Sequence, residues 1–232
     1  MSLLLASGAG AAIPLGAHLA SIERIRPGWL EDELRHSVIA FGGGVLLAAV
    51  SLVMVPRGIA VLPVGPATLA FVAGGLAFFL LDKLIASAGR SGSQFLAMLL
   101  DFIPEAMAMG AALATGEAVG LLLALLIALQ NLPEGFNAFR EVVADRPGRH
   151  ARTLALFWLT ALCGPLFALA GFLYLADNPA TIAAIMLAAA AGIIYLTFQD
   201  IAPQVAQANR RAPALGAVLG FLVGLIGHML LV

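Results

Sequence analysis

Asp101-Phe102-Ile103-Pro104-Glu105-Ala106 and Gln130-Asn131-Leu132-Pro133-Glu134-Gly135 lie in the middle of two consecutive apolar segments, and each holds a Pro-Glu pair. An ionised carboxylate in hydrocarbon is costly, so membrane carboxylates normally face a bundle interior and pair with something positive. Neither segment offers a buried Lys or Arg of its own. That absence points to a mobile cation as the missing partner.

The surrounding composition sets the class. Of 232 residues, 62% are hydrophobic and 11% charged, and the mean hydropathy is +1.02. These values describe a polytopic membrane protein, not a water-soluble domain. Apolar runs of roughly 18 residues or more predict eight spanning helices in a single transmembrane domain over 1–232, at about 2–22, 36–56, 62–82, 94–115, 118–139, 153–175, 180–205 and 213–232. The fold class is therefore an all-α membrane protein whose fourth and fifth helices are kinked by proline. The first segment lacks a basic leader and a small-residue cleavage site, and reads as a retained helix.

Orientation follows from the basic residues, which accumulate in cytoplasmic loops. One set of loops carries Arg24, Arg26 and Arg35, then Lys83 and Arg90, then Arg140, Arg146, Arg149 and Arg152, then Arg210 and Arg211; the other set carries Arg57 alone. Both termini are expected outside. A net charge of -1 excludes a nucleic-acid binder, which needs a basic face. Cys163 is the only cysteine, so neither an internal disulfide nor a thiolate metal cluster is available.

Spacing brings the two motifs together. In antiparallel helices joined by a turn between residues 116 and 117, they fall within about 2 to 3 Å of one depth at about 1.5 Å rise per residue. Asp101 and Glu105 are four apart, as are Gln130 and Glu134, so each pair shares a helix face. Pro104 and Pro133 cannot donate to the carbonyls of Leu100 and Leu129, which frees two oxygens beside the acidic face.

Other features read more simply. The small residues of the first helix, Gly8, Gly10 and Gly16 among them, suit close packing, with His18 its one candidate functional group. Gly216, Gly220 and Gly224 form a second packing stripe, and Asp82-Lys83 reads as an interfacial ion pair. Ser51 can bond its own backbone, Cys163 reads as packing, and Gly164-Pro165 bends the sixth helix. The seventh helix carries Tyr195, Gln199, Asp200, Pro203 and Gln204 toward its inner end, a third acidic-polar-proline cluster.

Taken together, these residues resemble the ZIP (ZRT/IRT-like protein) divalent-metal transporters, as a divergent bacterial-type member. The likeness includes Ile13-Pro14-Leu15-Gly16, the glycine-rich second helix running to Pro56, the paired Pro-Glu motifs, and Gln199-Asp200-Ile201-Ala202-Pro203, where the family often has His-Glu-x-x-Pro. Asp101 and Gln130 stand at usual His positions, and Phe102 and Gly164 supply no ligand atoms where relatives often do. The resemblance implies a ZIP-like bundle in a bacterial inner (plasma) membrane and a metal site of Asp101, Glu105, Gln130, Asn131 and Glu134. It also implies a cytoplasmic exit past Gln199 and Asp200, and a homodimeric assembly.

The implied function is transport of a divalent cation, Zn²⁺, Mn²⁺ or Fe²⁺, toward the cytoplasm. The metal is substrate, not cofactor, and no enzymatic activity is expected. An oxygen-only site shifts the expectation from zinc partway toward manganese or iron. Clustered carboxylates cannot all ionise comfortably when empty, so proton uptake should accompany metal loss. Two rivals are a degenerate relative that binds metal or a partner without transport, and an intramembrane aspartyl protease using Asp101 and Asp200. The protease sequence contexts are absent, and there is no His-Glu-x-x-His.

Overall fold

Hydrocarbon offers no partner to a backbone N–H or C=O, so a chain this apolar must satisfy those groups within each segment. The computed structural model does so with helices alone among the described residues, which are 2–23, 28–87, 93–114, 118–145, 148–206 and 212–232. Eight are long and apolar enough to cross a membrane: α1 (Leu3–Ile22), α2 (Glu33–Val61), α3 (Val64–Ile85), α4 (Phe95–Ala114), α5 (Ala118–Asp145), α6 (His150–Tyr174), α7 (Pro179–Val205) and α8 (Ala212–Leu231). The turn at Thr115-Gly116-Glu117 and the basic residues Arg24, Arg26, Arg90, Arg146, Arg210 and Arg211 lie outside the described residues.

Proline shapes several helices, in three ways. Pro14, Pro104 and Pro133 sit inside helices that continue through them. The expected end of α2 at Pro56 does not occur. A π turn at Val50–Met54, in which Val55 N–H bonds the Val50 carbonyl, is followed by a further α-helical stretch that contains Pro56 and reaches Val61. A second π turn at Thr197–Ile201 precedes Pro203 in α7 in the same way. In α6 the helix breaks at Ala161–Leu162, because Pro165 has no N–H for the Ala161 carbonyl. α5 runs past residue 139 to Asp145, carrying Arg140 and Glu141 on its last turns.

The helices divide into a centre and a periphery. Of the most apolar stretch of α2, 67% is buried, and of α5, 61%, against 6% of α3. α1 packs most extensively on α5, α2 on α8, α3 on α7, and α4 on both α5 and α6. Small residues make the tightest seams. A Cβ at Gly16 would strike the Leu132 carbonyl oxygen, and one at Gly135 would strike that of Ile13, so α1 and α5 touch backbone to backbone beside the second Pro-Glu motif. The α8 stripe meets α2 likewise, with Gly216 against Ser37 and Gly220 against Phe41.

Side-chain links fix one end of the bundle. Arg140 of α5 donates to Glu23, just past α1, at 2.6 Å, and its guanidinium lies 5.8 Å from the centre of the Phe136 ring. The Tyr195 hydroxyl of α7 donates to Asp82 of α3 at 2.7 Å. Asp82 thus takes Tyr195 as its partner in place of the adjacent Lys83 that the sequence suggests. The Phe157 ring of α6 lies 4.9 Å from that of Phe95 in α4 and 5.6 Å from that of Phe139 in α5, tying three helices together at that same end.

Candidate metal centre

The two Pro-Glu motifs meet across the α4–α5 interface as their spacing predicts. Gln130 Nε2 donates to Glu105 Oε2 at 2.5 Å, and both residues are 1% exposed. One N–H of a neutral amide and one oxygen of a carboxylate from neighbouring helices thus pair in the bundle interior. Asn131, fully buried, turns the other way: its Nδ2 donates to the Ala9 carbonyl at 3.1 Å and anchors α5 to α1. Phe102, which follows Asp101, is part of the apolar core.

On the other side of this contact is a cavity of about 80 Å³ between α2, α4, α5 and α7. Asp101, Glu134, Asn137, Asp200 and Gln204 supply its polar lining, and among the described residues no Lys or Arg lines it. Gly42 and Gly43 of α2 form the opposite wall: a Cβ at the first would press on the Pro133 ring, and one at the second would press on Ile201. Without side chains at these positions, α2 stands close enough to close the cavity. Asp101 is buried and Glu134 half-buried. Asp101 is within electrostatic reach of both Glu105 and Glu134.

The seven residues singled out in the sequence therefore separate into groups. Asp101, Glu134 and Asp200 line the cavity; Glu105 and Gln130 are paired behind it; Asn131 faces the α1 seam; and Gln199 is exposed, away from the cavity. Asn137 is a cavity residue that the motif reading overlooks. It extends Gln130 and Glu134 to an i, i+4, i+7 stripe, and that stripe is the signal that could have found it. His18 is exposed. Ser51 bonds back to the Leu47 carbonyl at 2.7 Å, as expected of a serine inside a helix.

The chemistry of the centre is that of acceptors without donors. Asp101 Oδ1, Gln130 Oε1, Asn131 Oδ1 and Asn137 Oδ1 are buried and have no hydrogen-bond partner among the described residues. A buried acceptor left unpaired costs about 1–3 kcal/mol, and a hard divalent cation is the species that oxygen donors of this kind suit. Among the described residues, no three His, Cys, Asp or Glu side chains stand close enough to hold a metal as they are. A complete carboxylate shell would require Glu105 to leave Gln130 and approach Asp101 and Glu134.

Asp101 and Asp200 both line the cavity. No protein-family model matches the chain, and no curated protein matches it.

Proposed function

We propose that this chain is a divalent-cation transporter of the ZIP type, lying in a bacterial inner membrane with both termini outside and passing metal to the cytoplasm between α4 and α5. The observation that carries the reading is a cavity wall bearing Asp101, Glu134 and the unpartnered Asn137 amide oxygen, with no Lys or Arg facing them among the described residues. A hydrated dication would exchange water for the Asp101 and Glu134 carboxylates and the Asn137 oxygen. Glu105 would join when its bond to Gln130 opens. Asp200 and Gln204 continue the polar lining along α7 and give the ion its route onward. Oxygen donors favour Mn²⁺ or Fe²⁺ over the usual zinc preference of histidine-bearing sites, and assembly as a homodimer belongs to the same proposal.

Uptake into proteoliposomes tests this reading. Vesicles holding the full chain should accumulate Mn²⁺, Fe²⁺ or Zn²⁺ faster than empty vesicles, and Glu134→Ala should abolish the difference. Failure of every ion to enter would leave a metal-binding relative without transport. Cleavage of a helical substrate that is lost in Asp101→Asn would replace the proposal with a protease.

A further inference from the structure

A second crevice lies on the far side of Pro133, between α1, α2 and α5, with a volume of about 210 Å³. Its walls are apolar, formed by Leu19, Val38, Leu132 and Phe136 together with the Pro133 ring. Leu19 and Leu132 are 48% and 38% exposed, so the crevice is open at the bundle surface beside apolar side chains of spanning helices. Its charged rim consists of Glu23, Arg35 and Arg140. Glu23 and Arg140 neutralise each other at 2.6 Å, while Arg35 has no ion pair among the described residues. Among the described rim residues one positive charge is therefore left over.

We infer that this crevice binds one anionic phospholipid of the surrounding leaflet, its acyl chain lying against Leu19, Leu132 and Phe136 and its phosphate on the Arg35 guanidinium. An apolar slot open to hydrocarbon, capped by a planar forked donor at headgroup depth, matches both halves of such a molecule. Charge complementarity favours this occupant over a second copy of the chain, whose lipid-facing leucines would leave the guanidinium unanswered. Pro133 also lines the carboxylate cavity, so the lipid would rest against the helix segment that presents Glu134. The inference requires only that the chain spans a bilayer, and holds whether or not metal is transported.

Native mass spectrometry of the full chain in mild detergent provides the test, with palmitoyl-oleoyl phosphatidylglycerol, the matching phosphatidylcholine and soluble glycerol phosphate added separately. Phosphatidylglycerol should be retained as a single adduct, phosphatidylcholine about five- to tenfold more weakly, and glycerol phosphate not at all. Arg35→Ala should bring phosphatidylglycerol down to the phosphatidylcholine level. Val38→Trp, which fills the slot and keeps the charge, should lower retention of both lipids. Equal retention of the two lipids by the wild type, binding of glycerol phosphate alone, or a dimer that Val38→Trp dissociates without any lipid adduct would each overturn the proposal. Should Arg35→Ala fail to fold, the Val38→Trp comparison decides.

Discussion

Gln130 holds Glu105 across the α4–α5 interface through a single 2.5 Å hydrogen bond, with water excluded from both residues. The bond joins the two Pro-Glu motifs and also keeps one carboxylate away from the cavity that the other lines. Gln130→Ala should strand the Glu105 oxygen in a dry site at a cost of about 1–3 kcal/mol. Thermal unfolding in detergent should show a fall of several degrees. An unchanged midpoint would mean that the bond contributes nothing.

If the cavity takes a divalent ion, the ion should stabilise the folded chain. Mn²⁺ at about 100 times its dissociation constant should add about 2.7 kcal/mol, read as a rise in melting temperature that Asp101→Asn and Glu134→Gln largely remove. Carboxylates bind metal in their deprotonated form, so protons compete for the same oxygens and the rise should shrink as pH falls from 7.5 to 5.5. A stabilisation unchanged in both variants would place the ion elsewhere.

The α1–α5 seam makes a sharper structural prediction. Gly16→Leu must push the Leu132 carbonyl away and disturb the second motif, whereas Gly8 has nothing within 4 Å of where a Cβ would stand. Overfilling a packed seam costs about 1–3 kcal/mol. Gly16→Leu should lower the melting temperature or broaden the size-exclusion peak, and Gly8→Ala should do neither.

Tyr195→Phe removes the bond to Asp82 and leaves the ring in place. The expected loss is about 0.5–1.5 kcal/mol. Hydrogen exchange should quicken at the ends of α3 and α7 and not at the α2–α8 seam. A uniform response across the chain would show that the bond is not a local tie.

Much of this arrangement is legible in the sequence, for specific reasons. Apolar runs bounded by charges give the eight helices, and a four-residue step between polar groups puts Asp101 with Glu105 and Gln130 with Glu134. The common depth of the motifs follows from rise per residue alone. What the sequence does not disclose are choices among partners of similar chemistry. Gln130 could face Asp101 as readily as Glu105, and only the rotation of α4 about its axis decides it. Asp82 stands beside Lys83 in sequence yet bonds Tyr195, 113 residues away. Pro56 looks like a helix end because a regular helix has no place for its ring, and the π turn that accommodates it leaves no sequence signature. Gln199 and Asp200 are adjacent in sequence, and only the rotation of α7 decides that Asp200 lines the cavity while Gln199 is exposed.

The π turn at Thr197–Ile201 also decides how α7 responds to a change of length. Each π turn accommodates an additional residue within an otherwise ordinary helix. Removing one residue inside it would restore a regular spiral and leave Gln204 close to its present bearing, whereas the same deletion in a helix without such a turn would swing everything beyond it by about 100°. The π turn thus gives α7 one residue of slack at the cavity wall, which a regular helix lacks.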